Sequence, residues 1–143
     1  MRIHSIRLKD RNGIWCSHTC FFLSETAVAH LKHKDLSLVD ADAWSQAMAD
    51  RQEGFCHQRF KPNLTILNSS EEPCIEPGQE LGIGNARLFV LEKRHHCHQE
   101  CLMINLEEKH CSWTQTIRYV RVISEGKICV NDPVQLLRAQ IDP

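Results

Sequence analysis

The chain has no surplus of charge of either sign: 17 Lys and Arg stand against 18 Asp and Glu, a formal net charge of −1. The basic residues are spread along the sequence. There is no electrostatic footprint for nucleic acid and no polybasic stretch for a lipid surface, so neither is expected as a partner. Long apolar runs are also missing, and nothing approaches the roughly 18 consecutive apolar residues needed to span a bilayer. The opening residues, MRIHSIRLKD, alternate apolar and polar side chains, as a strand does and a secretory signal does not. A cytoplasmic protein without a membrane partner is the expectation. No G-x-S-x-G, P-loop or dinucleotide fingerprint occurs, which removes the commonest routes to hydrolase, NTPase and nicotinamide chemistry. No repeat, low-complexity tract or linker divides the chain, so its 143 residues, 42% of them hydrophobic, are expected to form a single domain, 1–143, with a real core.

What the sequence does have is cysteine, eight in all, together with nine histidines. In a reducing compartment a disulfide framework is not expected, and such thiols divide into buried filler and chemically active groups. Cys20, in an apolar run, and Cys129, between Ile128 and Val130, are read as core filler. Cys16, Cys56 and Cys74 have no arranged partner in the sequence.

Local patterns place the elements. A strand is predicted over 2–9, ending in the turn signal Asp10-Arg11-Asn12-Gly13. A short strand over 19–23 is followed by Ser24 in N-cap position and a short helix over 25–31. A second helix is predicted over 41–51, capped by Asp40 or Asp42, with Ala43, Ala47, Trp44 and Met48 on the buried face and Gly54 beyond its end. Short strands follow at 64–67, 79–83, 86–92, 116–123 and 127–137, the last interrupted near Asn131-Asp132-Pro133. The fold class is therefore mainly β (α+β), a barrel or closed sheet decorated by helices.

The densest chemistry lies at 93–101, KRHHCHQEC, joined later by His110-Cys111 and following directly on a predicted buried strand. Cys97 and Cys101 would stand about 13 Å apart in a continuing strand, but about 6 Å apart on one face of a helical turn. Shared chelation therefore requires the strand to end near Cys97. Three readings are open. Cys97, Cys101, Cys111 and either His98 or His110 have the ligand types for a structural zinc ion. Alternatively, the neighbouring histidines with Lys93 and Arg94 would lower a thiol pKa from about 8.5, giving a thiolate that attacks a sulfane donor, holds a persulfide or ligates a soft metal. The stretch can also be an ordinary solvated loop with buried cysteines.

The order of segments resembles the MOSC domain, the module found in molybdenum cofactor sulfurases and in small stand-alone bacterial proteins. The resemblance rests on Phe22-Leu23-Ser24-Glu25-Thr26, on Arg59-Phe60-Lys61-Pro62-Asn63-Leu64-Thr65, on Pro77-Gly78-Gln79-Glu80-Leu81-Gly82-Ile83-Gly84-Asn85, on Cys97-His98-Gln99-Glu100-Cys101 with Cys111, and on Val120-Arg121-Val122 with Gly126-Lys127-Ile128 and Asp132-Pro133-Val134. It implies a mixed β-barrel with two or three short helices and a role in molybdenum cofactor metabolism. A sulfur-transfer activity of the sulfurase type is implied too, with Cys101, Cys97 and His98 as catalytic candidates. Cys101, before Leu102-Met103-Ile104, corresponds best to the family's carrier or ligand cysteine, and Cys97, Cys101, Cys111 and His98 are the metal-ligand candidates. Arg59, Lys61, Asn63 and Arg94 are candidates for holding the pterin phosphate of a molybdopterin. The implied partners are a sulfur donor or a molybdenum-enzyme maturation protein. Pyridoxal phosphate is associated with the family only at large. The chain departs from the family pattern in lacking a glycine-rich segment before Thr19, and in carrying Thr114-Gln115-Thr116-Ile117 where many stand-alone relatives have an Arg-Glu-Gly-like stretch.

Overall fold

The computed structural model of the chain describes residues 1–31, 34–49, 60–69, 71–92 and 116–137. Ten strands and two short helices follow in the order β1 (Arg2–Lys9), β2 (Trp15–His18), β3 (Cys20–Leu23), α1 (Glu25–Val28), β4 (Leu36–Asp40), α2 (Ala41–Ala49), β5 (Leu64–Leu67), β6 (Glu80–Ile83), β7 (Ala86–Val90), β8 (Ile117–Ser124), β9 (Gly126–Cys129) and β10 (Val134–Leu137). Eight strands form one sheet in the order β10-β6-β7-β8-β4-β5-β1-β2, and β3 pairs with β9 in a separate two-stranded sheet. This is the expected mixed α+β fold, dominated by a curled sheet with two short helices.

The strand at 2–9 shows how sequence becomes register. Its buried side chains are Ile3, Ile6 and Leu8, a spacing that cannot keep one face at strict period two. A one-residue slip would turn the later side chains to the wrong face. The pairing of β1 with β5 shifts register between Ile3 and Ser5, and this irregularity resets the phase so that all three residues reach the core. The following turn is fixed by Asp10, whose carboxylate accepts from Asn12 N at 2.8 Å and Ile14 N at 2.9 Å. Gly13 takes the left-handed φ of 79° that the turn requires.

β4 and β5 run parallel, a connection that needs a crossover, and α2 lies on the chain between them. β4 is buried along nearly its whole length, as strands covered on both faces are. Leu36 and Leu38 join the main core, whereas Val39 belongs with Ile117 to a second cluster against which Trp44, Phe60 and Tyr119 pack. Trp44 and Phe60 meet with ring centroids 5.5 Å apart, so Trp44 packs as expected of an isolated tryptophan. The sheet curls until its far strand reaches β1. Ile3 N donates to Asp132 O at 2.9 Å, Asn131 N to Ile3 O at 2.8 Å and Val134 N to Met1 O at 2.9 Å. These bonds close a seam between the start of β1 and the turn before β10.

Two strands escaped the sequence reading. β2 is a four-residue edge strand that pairs with β1 alone, and β4 follows a charged stretch and holds a serine among its apolar residues. The helix expected over 25–31 spans Glu25–Val28, with Ser24 Oγ accepting from Ala27 N at 3.0 Å as its cap.

One expectation is corrected. Cys20 and Cys129 are not core filler: they face each other across β3 and β9, with Cα atoms 4.0 Å apart, and form a disulfide. Cys20 is exposed and Cys129 half-buried. The apolar run 20–23 misled because β3 has one face outward. Cys20 and Phe22 lie on that face, Phe22 57% exposed, while Leu23 is buried. A disulfide framework was not expected, and among the described residues this single pair is linked, since a cross-strand cysteine pair depends on register rather than on cysteine number.

Candidate functional site

The ends of β4 and β5 open onto a cavity of about 250 Å³. Carboxyl ends of parallel strands are where open sheets commonly bind ligands. Leu38, Val39, Ile66 and Ile75 form apolar walls, and Asp40, Asn68, Cys74, Thr116 and Arg118 supply the polar groups. A mostly apolar pocket with a few placed polar atoms is the usual form of a small-molecule site.

Each polar group is placed by its element. Asp40 ends β4 and caps α2, its carboxylate accepting from Asp42 N at 3.0 Å and Ala43 N at 2.9 Å. Arg118, near the start of β8, donates from Nε to Ile75 O at 3.3 Å and so holds the loop that carries Cys74. The same loop is tied at its other end: the Met1 ammonium pairs with Glu72, and Ser69 Oγ donates to Glu72 at 3.2 Å. The hydrogen-bonded ammonium, helped by Ser69, holds the Glu72 carboxyl below its ordinary range. Cys74 is an exposed free thiol. Asn68 donates to Pro73 O at 3.4 Å, while its Oδ1 is buried without a partner among the described residues. Such an orphaned acceptor costs free energy unless a donor is brought to it.

The residues singled out from sequence fall differently. Cys97, His98, Cys101, Cys111, Arg59 and Arg94 lie outside the described residues. Lys61 is exposed. Asn63 is 8% exposed and braces three strands: its Oδ1 accepts from Ser37 N at 2.9 Å and Ser37 Oγ at 3.1 Å, and its Nδ2 donates to Arg7 O at 3.0 Å. Among the described residues, no group of three or more His, Cys, Asp and Glu is placed to hold a metal ion. Cys16 is half-buried, its Sγ 3.7 Å from Ile14 O. The cavity residues Asn68, Cys74, Thr116 and Arg118 were not found in the sequence, where 68–73 reads as a turn. Recognising 36–40 as a strand parallel to 64–67 would have pointed to them.

Packing and chain neighbours relate this cavity to two segments that carry the family resemblance. Phe60, between Arg59 and Lys61, packs on the cluster that contains the cavity residue Val39. Thr116, on the cavity rim, follows Cys111 by five positions in the chain.

No match was found among curated proteins. Among solved structures, the crystal structure of YiiM from Geobacillus stearothermophilus is similar, with a TM-score of 0.54 and 16% identity over 98% of this chain and 74% of that one. At that identity the likeness is one of fold. No described helix is long and apolar enough to cross a membrane. The model of the MOSC domain matches residues 24–135, from the cap of α1 into β10, and the chain belongs to the MOSC domain family.

Proposed function

We propose that the protein handles sulfur or the molybdenum cofactor at the end of the curled sheet where β4, β5 and β8 meet. Cys101 acts as carrier or ligand, Cys97 and Cys111 as resolving or co-ligating thiols, and His98 as the group that tunes them. The observation that carries this reading is the cavity, an apolar pocket whose polar lining residues are Asp40, Asn68, Cys74, Thr116 and Arg118. It lies beside Phe60 of the 59–65 motif and at Thr116, where the chain returns from the cysteine segment. Covalent geometry keeps Cys111 within about 18 Å of Thr116.

The described residues fit part of a molybdopterin. A flat heterocycle suits apolar walls with polar groups at Asp40, Asn68 and Arg118, and exposed Lys61 suits an anionic phosphate, with Arg59 and Arg94 as further candidates. The cavity is smaller than the roughly 300 Å³ at which most ligand pockets begin, enough for the ring and not for the whole group. When bound, the cofactor would supply a soft metal centre that a thiolate can ligate.

In the sulfur-carrier form of the reading, the Cys101 thiolate attacks the outer sulfur of a persulfide donor, R–S–SH. The donor S–S bond breaks and R–S⁻ leaves, taking up the proton lost by Cys101. The products are Cys101–S–SH and R–SH, with no external oxidant. Lys93, Arg94 and His98 favour the attacking anion by lowering the thiol pKa. The donor is a protein or small molecule that presents such a sulfur, and the acceptor or maturation partner is one whose nucleophile attacks the outer sulfur of Cys101–S–SH, releasing the Cys101 thiolate.

Elemental analysis and cyanolysis of protein prepared anaerobically from a molybdate-supplied host test this. Molybdenum or sulfane sulfur is expected on the wild type, lost in Cys101→Ser and kept in Cys16→Ser. Wild-type protein holding neither would overturn the reading. Near-stoichiometric zinc with a melting temperature that collapses in chelator would replace it with a structural metal site.

A further inference from the structure

We propose that the Cys20–Cys129 disulfide is a reducible clasp on the seam of the sheet, opened by a dithiol reductant and closed by a small-molecule disulfide. Three observations carry this, and none depends on the chemistry proposed for Cys101. First, the bond is accessible from one side: Cys20 is exposed, whereas Cys129 is half-buried and its backbone N–H is held by Asp132 Oδ2 at 2.7 Å. Exposed disulfides are the labile and regulatory ones. Secondly, Cys20↔Cys129 is the terminal pair of the β3–β9 ladder, a sheet of two four-residue strands separate from the main one. Two-stranded pairs of this size have little stability of their own, and the covalent link adds to the burial of Leu23 and Ile128 and to the bond from Val130 N to Thr19 O in holding this one.

Thirdly, the chain after Cys129 is the seam itself. Residues 130–133 turn there, with Asn131 at a φ of 73°, a left-handed conformation that asparagine tolerates better than most non-glycine residues. Asn131 N donates to Ile3 O and Ile3 N donates to Asp132 O. Val134 N bonds Met1 O, and the Met1 ammonium pairs with Glu72 on the loop that carries Cys74. Opening the clasp therefore loosens one end of a connected path: Cys129, the seam, Met1, Glu72 and the cavity loop.

The exchange balances. A thiolate of the dithiol attacks exposed Cys20 Sγ, forming a mixed disulfide as the Cys129 thiolate leaves and is protonated. The second thiolate of the dithiol attacks its own sulfur in that mixed disulfide, releasing Cys20 as a thiol. Two electrons and two protons pass to the protein, and the dithiol becomes a cyclic disulfide. Glutathione disulfide reverses the reaction by the same steps, leaving two molecules of glutathione.

The test uses the full chain, with dithiothreitol as reductant under native conditions, peptide mapping of alkylated cysteines and residue-resolved hydrogen exchange. Cys20 and Cys129 are expected to be linked in the oxidised protein and to become alkylatable at retained far-UV circular dichroism. Exchange at the Ile3, Asn131 and Val134 amides should then accelerate about tenfold or more, as in local opening, with Cys74 alkylation faster and the Leu88 and Val120 amides unchanged. Glutathione disulfide should restore the slow rates, and Cys20→Ser/Cys129→Ser should show the fast ones with or without reductant. The proposal is overturned if the two cysteines are unlinked after oxidation, if the bond resists dithiothreitol until the protein unfolds, or if seam exchange does not change. A double variant that fails to fold also overturns it, because a switch needs a folded reduced state.

Discussion

At the scale of single residues, the buried polar groups among the described residues include satisfied braces and an open acceptor. Asn63 is a brace, and Asn63→Ala would strand Ser37 N and Arg7 O inside the fold. Each such loss costs about 1–3 kcal/mol, and urea unfolding should show a destabilisation of that order with an unchanged m-value. Asn68 is the opposite case. Asn68→Leu removes the bond to Pro73 O along with an acceptor that has no partner among the described residues, so stability should fall by no more than about 1.5 kcal/mol while loading with molybdenum or sulfur falls. Asn63 stands in the 59–65 motif and Asn68 in a turn cluster, and what makes Asn63 a brace is its partners 26 and 56 positions away, which local pattern does not carry. Gly126 is a third case: a Cβ there would lie 2.3 Å from the Asn85 carbonyl carbon, so Gly126→Ala should lower the melting temperature sharply.

Elements were legible where their signals were local. Ser24 before α1, Asp40 before α2 and the turn after Lys9 were all visible as residue types in the right place, and the strands from β5 to β10 follow apolar runs between turn residues. What failed was anything set by pairing: edge strand β2, the doubly covered β4, and the Cys20–Cys129 contact between strands 109 positions apart. The candidate site shares this limit, since the cysteine motif is contiguous in sequence whereas Asp40, Asn68, Cys74 and Arg118 converge only when β4 and β5 lie parallel. Asp40→Ala tests the element directly, because losing the cap of α2 should cost about 1 kcal/mol, measurable by thermal unfolding. The Glu72 carboxyl, held below its ordinary range by the Met1 ammonium, contributes stability that is present above its unfolded pKa and is lost as pH falls through its lower folded value. In Glu72→Gln the acid limb of the stability profile should flatten, as followed by denaturation at stepped pH.

For the molecule as described, a long-range covalent link joins β3 to β9, and a hydrogen-bonded seam joins the start of β1 to the turn before β10. In the chain-entropy account a loop of about 100 residues is worth up to about 4.7 kcal/mol, so reduction should lower the midpoint of urea unfolding by a large step, and Cys20→Ser alone should do the same. The core has Leu23, Leu36, Leu81, Leu88 and Ile128 fully buried, with Asp35, Ser37, Asn63 and Thr65 as buried polar groups among the described residues. The proposed site is the end of the sheet where β4, β5 and β8 meet, and membership of the MOSC domain family supports that reading. The claim that this end carries sulfur or molybdenum on Cys101 is tested most directly by intact-mass measurement of anaerobically purified protein, with peptide mapping of the adduct. A single added sulfur, or a molybdenum species, on the Cys101 peptide and absent from Cys101→Ser is the result predicted. Unmodified Cys101 in wild-type protein exposed to a persulfide donor and to molybdenum cofactor would contradict it.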